Sequence, residues 1–171
     1  MRKSIPIVAF AVIVLCLATV LAARLRAQEP QDPGVSTARG VLSDISLHQM
    51  LTDMGYEPKK LKQGYVVGIK QGEWTFNVQF LISGNSEKIG LNANVGAVDD
   101  TTSVTASQWM NVLATNTDIA PSFFYFNKTN RTLYVHRVLD NRCMTSTILR
   151  QQVEAFTANI KDTADVWKFT K

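Results

Sequence analysis

From Trp74 to Ile82, apolar and polar positions alternate. Trp74, Phe76, Val78, Phe80 and Ile82 are all apolar; Thr75, Asn77, Gln79 and Ser83 between and after them are polar, with Leu81 the exception. Successive side chains of a strand point to opposite faces, so the pattern predicts a strand with one buried and one wet face. Ile89, Leu91, Ala93 and Val95 alternate in the same way with Gly90, Asn92, Asn94 and Gly96. Two neighbouring strands with the same one-sided pattern predict an antiparallel sheet with a solvated face. Tyr65 to Ile69 reads as the preceding strand, joined through the Gln71-Gly72 turn, and Pro58 to Leu61 adds a short edge strand. Ser122 to Phe126 and Thr132 to Val138 predict a hairpin around Asn127 to Asn130. Alternation there is less sharp, because Phe123, Phe124, Tyr125 and Phe126 offer aromatic groups to both faces.

Three helices surround these strands. Ser43 is a good N-cap for a first helix whose expected buried stripe is Ile45, Leu47, Met50, Leu51 and Met54, stopped by Gly55. Asp44, His48 and Thr52 fall on its opposite face, which makes His48 a surface residue. Thr105-Ala106-Ser107-Gln108 has capping-box form and opens a second helix, with Ala106, Trp109, Met110 and Leu113 as its expected apolar face. From Thr145 or Ser146, Leu149, Val153, Phe156, Ile160, Ala164 and Trp167 recur at three- and four-residue steps, predicting one long helix across the sheet. The fold class is therefore α+β: an antiparallel sheet of about five strands with helices packed on one face, in the order α-β-β-β-α-β-β-α.

Length and charge complete the organisation. The 171 residues suffice for one domain plus a targeting segment. Arg2 and Lys3 precede an uncharged apolar run, Ile5 to Ala23, so residues 1–23 read as a signal peptide or an N-terminal membrane anchor. At about 1.5 Å per residue a helical run of this length would span roughly 28 Å, close to a bilayer's apolar thickness. Arg24 and Arg26 just after the run favour the anchor, and small residues such as Ala22 favour cleavage. Both readings place the body outside the cytoplasm, periplasmic or secreted or held at the inner membrane. Residues 24–40, with Pro30, Pro33 and Gly34, read as a linker, and 41–171 as the folded domain. Four of the 18 Lys and Arg residues precede Gln28 and none of the 14 acidic residues does. The remaining chain is charge-balanced, so the formal +4 belongs to the leader and implies no nucleic-acid partner.

Chemistry-bearing motifs are sparse. There is no histidine pair at metal-ligand spacing, no phosphate-cradling glycine loop and no nucleophile elbow, so no cofactor or metal is implied. Cys16 lies in the leader, which leaves Cys143 without an internal disulfide partner once the leader is removed. A small thiol enzyme or hydrolase built on Cys143 and His136 is one alternative, since Arg142 beside the thiol would favour the thiolate. A small-ligand carrier with a pocket between sheet and helices is another. The principal expectation is a non-enzymatic protein-binding domain. Asn77, Gln79, Asn92 and Asn94 on the wet sheet face, with Phe123 and Tyr125, are its expected partner-binding residues, because amides can bond a partner without the desolvation cost of charges.

The element order, with Leu51-Thr52-Asp53-Met54-Gly55-Tyr56, Ser122-Phe123-Phe124-Tyr125-Phe126 and Leu133-Tyr134-Val135, resembles the bacterial sensory-transduction-regulator family, related in fold to type III secretion chaperones. The resemblance spans about Val41 to Trp167. It implies an α+β, chaperone-like domain that binds a protein or peptide segment without doing chemistry and often forms a homodimer. Secretion chaperones of this fold are cytosolic, so the export leader departs from that pattern. The Ser122–Phe126 aromatics and the second helix are the expected dimer surface. Contact with a membrane is expected only through an uncleaved N-terminal segment.

Overall fold

The computed structural model describes residues 40–100 and 103–170. The expected leader, and the linker up to residue 39, lie outside the described residues. Six strands form one sheet: β1 (Lys59–Lys60), β2 (Tyr65–Gln71), β3 (Trp74–Ile82), β4 (Lys88–Ala97), β5 (Ser122–Asn127) and β6 (Thr132–Asp140). Among the described residues four helices accompany them: α1 (Asp44–Asp53) before β1, α2 (Ala106–Thr115) between β4 and β5, and α3 (Ser146–Asp162) and α4 (Ala164–Trp167) at the end. The strand order is β1-β2-β3-β4-β6-β5, antiparallel throughout. The α+β expectation holds, with β1 as the short edge strand.

The inner face of the sheet is the core. Val67, Ile69, Phe76, Val78, Phe80, Ile89, Leu91, Ala93, Leu133 and Val135 are buried on it. Leu47 and Leu51 of α1 and Leu149, Val153, Phe156 and Ile160 of α3 cover them. Each fully buried aliphatic or aromatic side chain contributes on the order of 2 kcal/mol gross. Trp74 departs from its strand's pattern. At the mouth of the β2–β3 hairpin it is 38% exposed, stacked on Phe76 and edge-on to Trp167. Its indole meets Trp167 of the last helix and forms the rim of the core.

Local signals explain the ends of the elements. The Ser43 hydroxyl accepts from Ser46 N–H, and Ser46 Oγ accepts from Ser43 N–H at 2.7 Å, a reciprocal cap. At the other end of α1, Gly55 N–H donates to Thr52 O and Tyr56 N–H to Leu51 O. This Schellman closure needs the left-handed φ of +84° that Gly55 supplies. Gly64 is required for space: a Cβ there would stand 2.0 Å from the Phe80 carbonyl oxygen. In α2 the expected Thr105–Gln108 capping box forms.

Three helix expectations are corrected. Ile45 is 81% exposed. Leu47, Met50, Leu51 and Met54 make the true i, i+3, i+4, i+7 stripe, and Ile45, two residues before it, lies on the other side. In α2 the buried residues are Val112 and Thr115, with Trp109 half-buried, while Ala106, Met110 and Leu113 face out. Trp109 packs on Phe126 and Phe169, and Asn116 binds β5; these contacts set the helix's rotation. The last helix breaks at Thr163 into α3 and α4, although the whole predicted stripe through Ala164 and Trp167 is buried. Trp167 Nε1–H donates back to Ile160 O at 2.9 Å and fixes the short second piece.

Candidate functional site

All four described helices contribute side chains to the core on the inner face, which leaves the outer face of the sheet without a described helix over it. Strand alternation puts Asn77 and Gln79 of β3, Asn92 and Asn94 of β4, and Phe123 and Tyr125 of β5 on that face. The six expected residues thus share one side. Between the amides and the aromatics stand Tyr134 and His136 of β6, paired across the ladder with Asn94 and Asn92.

The β4–β6–β5 end of this face is an aromatic plate. Tyr125 stacks on Tyr134, centroids 5.2 Å apart and rings 13° from parallel. His136 stands edge-on to Phe123 at 5.3 Å and to Tyr125 at 6.2 Å. The Tyr125 hydroxyl donates to Asn92 Oδ1 at 3.2 Å, and Asn130 Nδ2 donates to the Tyr134 hydroxyl at 2.7 Å. Gly90 makes room beside the imidazole: a Cβ on it would come within 3.2 Å of His136 Cε1. Burial among the rings lowers the His136 pKa from its ordinary 6.5, opposed by a backbone hydrogen bond at Leu91. Burial likewise raises the Tyr125 pKa, against the Asn92 hydrogen bond. Phe123 is 40% exposed, and Val138 and Leu81 are exposed on the same face.

The amides are mostly committed to internal bonds. Gln79 Nε2 donates to Gln63 O at 3.1 Å, Asn94 Oδ1 accepts from Gly96 N–H at 2.8 Å beside a bulge, and Asn92 orients Tyr125. Asn77 is exposed. Of the four amides, Asn92 is the one that bonds to the aromatic plate. Tyr134 and His136 were the residues that sequence reasoning did not assign to the face. Their alternation with Leu133, Val135 and Arg137 was the available signal.

Both sheet edges are blunted. β1 is two residues long and carries two exposed lysines. On β5, Phe124 N–H donates to Asn116 Oδ1 at 2.6 Å and Asn116 Nδ2 donates to Phe124 O at 3.4 Å. One amide side chain thus occupies the donor and acceptor that an added strand would use. The geometry favours docking on the face over pairing at an edge.

The thiol-enzyme alternative does not assemble. Cys143 is exposed in the turn after β6 with φ +57°, beyond the end of the strand at Asp140. At about 3.3 Å per residue, His136 lies roughly 13 Å back along β6 from that end, inside the ring cluster. Among the described residues no three His, Cys, Asp or Glu side chains could hold a metal ion. Nor is any described helix long and apolar enough to cross a membrane. A cavity of about 430 Å³ lies at the tip of the β5–β6 hairpin, lined by Trp109, Phe126, Lys128 and Arg131.

No protein-family model matches the chain, and no curated protein matches it in sequence. Solved structures do match. The chain is similar to YbjN from E. coli, with a TM-score of 0.57 and 15% identity over 77% of this chain and 93% of that one. It is similar to an uncharacterized protein from Methanothermobacter thermautotrophicus, with a TM-score of 0.53 and 10% identity over 76% of this chain and all of the other. A chain of the HopA1-SchA chaperone-effector complex aligns with a TM-score of 0.49 and 8% identity over 68% of this chain and 88% of that chain. For YbjN and the Methanothermobacter protein, at these identities, the likeness is one of fold.

Proposed function

We propose that this chain is a non-enzymatic, protein-binding domain of the bacterial envelope that captures an apolar or aromatic segment of a partner on the outer face of its sheet. The observation that carries the reading is the plate of Phe123, Tyr125, Tyr134 and His136. Its rings are ordered by Asn92 and Gly90, and it is left partly open while the helices pack on the opposite side. Preorganised aromatic groups bury large area at low entropic cost, which is what a binding face requires. The charge-free run from Ile5 to Ala23 supports export, with residues 24–40 as the tether.

The test compares wild-type bait with Phe123→Ser and Tyr134→Ser baits in cross-linking from envelope extract, with intact mass recorded for each bait. Proteins retained by the wild type and lost from both variants are expected, with a bait mass that reveals whether the leader is removed. Equal retention by all three baits would remove the plate from the function.

Self-association is a second reading, favoured by the outward Met110 and Leu113 of α2, 63% and 59% exposed. With the plate they flank β5 from both sides of the sheet. A homodimer through α2 would bury Met110 and Leu113, and light scattering over a wide concentration range decides between one chain and two.

A further inference from the structure

The cavity at the tip of the β5–β6 hairpin joins two kinds of side chain. Its volume of about 430 Å³ falls in the range of about 300–1,000 Å³ common to small-molecule sites. Trp109 of α2 and Phe126 of β5 supply an apolar wall, and Lys128 and Arg131 bring two cations to it. The wall is fixed by packing. Trp109 meets Phe126 with ring centroids 5.3 Å apart and stands edge-on to Phe169 at 5.6 Å. Both Trp109 and Phe126 are only half-buried, so the core does not close over them.

The hairpin turn holds the cations in place. Asn127 pairs with Thr132, so Lys128 to Arg131 form the loop. Arg131 O accepts from Val98 N–H at 2.8 Å, which ties the tip to the end of β4, and Asn127 Oδ1 accepts from Thr129 N–H at 2.9 Å. The Lys128 and Arg131 side chains are exposed, and none of the five ion pairs among the described residues includes either. Asp99 and Asp100, which follow Val98, have interactions of their own. Arg131 also has a left-handed φ of +54°. Glycine or asparagine takes that conformation with less strain than arginine, so the turn by itself does not require a guanidinium here.

These side chains define their complement. An aromatic ring packs edge-to-face on indole and phenyl groups, and a carboxylate accepts charge-assisted bonds from a guanidinium and an ammonium. A neutral ring would leave the cations unused, and a bare anion would leave the aromatic wall wet. We propose that this cavity binds a small aromatic carboxylate, its ring against Trp109 and Phe126 and its carboxylate at Lys128 and Arg131. Phe126 follows Phe124 on the inner side of β5, across the sheet from Phe123 and Tyr125, so the site does not depend on the plate's role.

The probe is 3-phenylpropionate, titrated into the protein while the indole Nε1–H resonances are followed by NMR. The Trp109 resonance should shift saturably at millimolar probe. Trp167, whose Nε1–H is bonded to Ile160 O, is the internal reference and should stay in place. 3-Phenylpropionamide keeps the shape without the charge and should bind about 3- to 30-fold more weakly, as loss of two exposed charge contacts implies. Acetate, the charge without the ring, should leave Trp109 unmoved. Arg131→Gly is the informative variant, because glycine takes a φ of +54° without strain and the turn is kept. Its melting temperature should hold while affinity for the acid falls about 2- to 5-fold. Lys128→Gln should act alike, and the double variant should bring the acid to the amide's affinity. An unmoved Trp109 resonance, equal affinity of acid and amide, or an acid affinity unchanged in the double variant overturns the site. A Trp109 shift with acetate alone also overturns it, since the ring would then play no part. Phe123→Ser should leave the response intact, and its loss there would place the probe on the plate and overturn the cavity as the site.

Discussion

Asn141 is fully buried where three segments meet. Its Oδ1 accepts from Leu42 N–H at 3.1 Å, and its Nδ2 donates to Leu42 O at 2.9 Å and Ser86 O at 2.7 Å. One side chain therefore ties the entry to α1, the β3–β4 turn and the end of β6. Asn141→Leu would strand backbone groups in the interior, and about 3 kcal/mol of lost stability is expected in urea unfolding. His136 sets a pH dependence at the same scale. Burial lowers its folded pKa, so the folded state prefers the neutral ring. Stability from this group is full above the unfolded value of 6.5 and declines as pH falls through 6.5 toward the folded pKa. Melting temperatures recorded from pH 8 to 5 should fall in that window and flatten in His136→Phe. Asp44 acts lower on the scale. Its pKa is lowered chiefly by the hydrogen bond from Lys60, so its contribution is lost only as pH falls below the ordinary 3.8.

Elements behave according to what covers them. α3 supplies Leu149, Val153, Phe156 and Ile160 to the core, all inaccessible. Phe156→Asp would place a carboxylate in that layer at a cost comparable to a domain's whole stability, on the order of 5–15 kcal/mol. An unfolded circular dichroism spectrum is the expected result. α2 acts differently, because its C-terminal Asn116 closes the β5 edge. Asn116→Ala should leave the helix in place, cost about 1–3 kcal/mol and expose Phe124's backbone groups. Slow self-association, seen as rising light scattering, follows from an opened edge. α1 is held by its first turn: the Asp44 carboxylate accepts from Lys60 and, at 3.1 Å, from the Tyr65 hydroxyl, and His48 packs on the Tyr65 ring. His48 is accordingly half-buried against β2 and not simply a surface histidine.

In the molecule taken whole, the sheet divides two kinds of surface. The inner face is consumed by helices, and the outer face carries ordered rings over a polar field. Phe123→Ser should therefore leave the unfolding free energy within about 1 kcal/mol of the wild type's, as for an exposed position, while reducing partner capture. A large loss of stability would instead mark the plate as structural. Likeness in fold to YbjN spans most of both chains. What docks on this fold is then decided by the side chains on its faces.

By itself the sequence determined the strands, the Ser43 N-cap and the Thr105–Gln108 capping box, because each depends on a local period or on groups within four residues. The Trp74–Ile82 alternation and the Leu149–Trp167 stripe located the core before any contact was known. Only the tertiary structure decided the rotation of α2, where apolar residues on both sides left two faces open and Trp109 and Asn116 chose one. It also decided that Gln79, Asn92 and Asn94 bond within the chain, and that Arg137 turns inward against Ser122. Those outcomes depend on neighbours brought together by strand register and helix packing from distant parts of the chain, which no local pattern records.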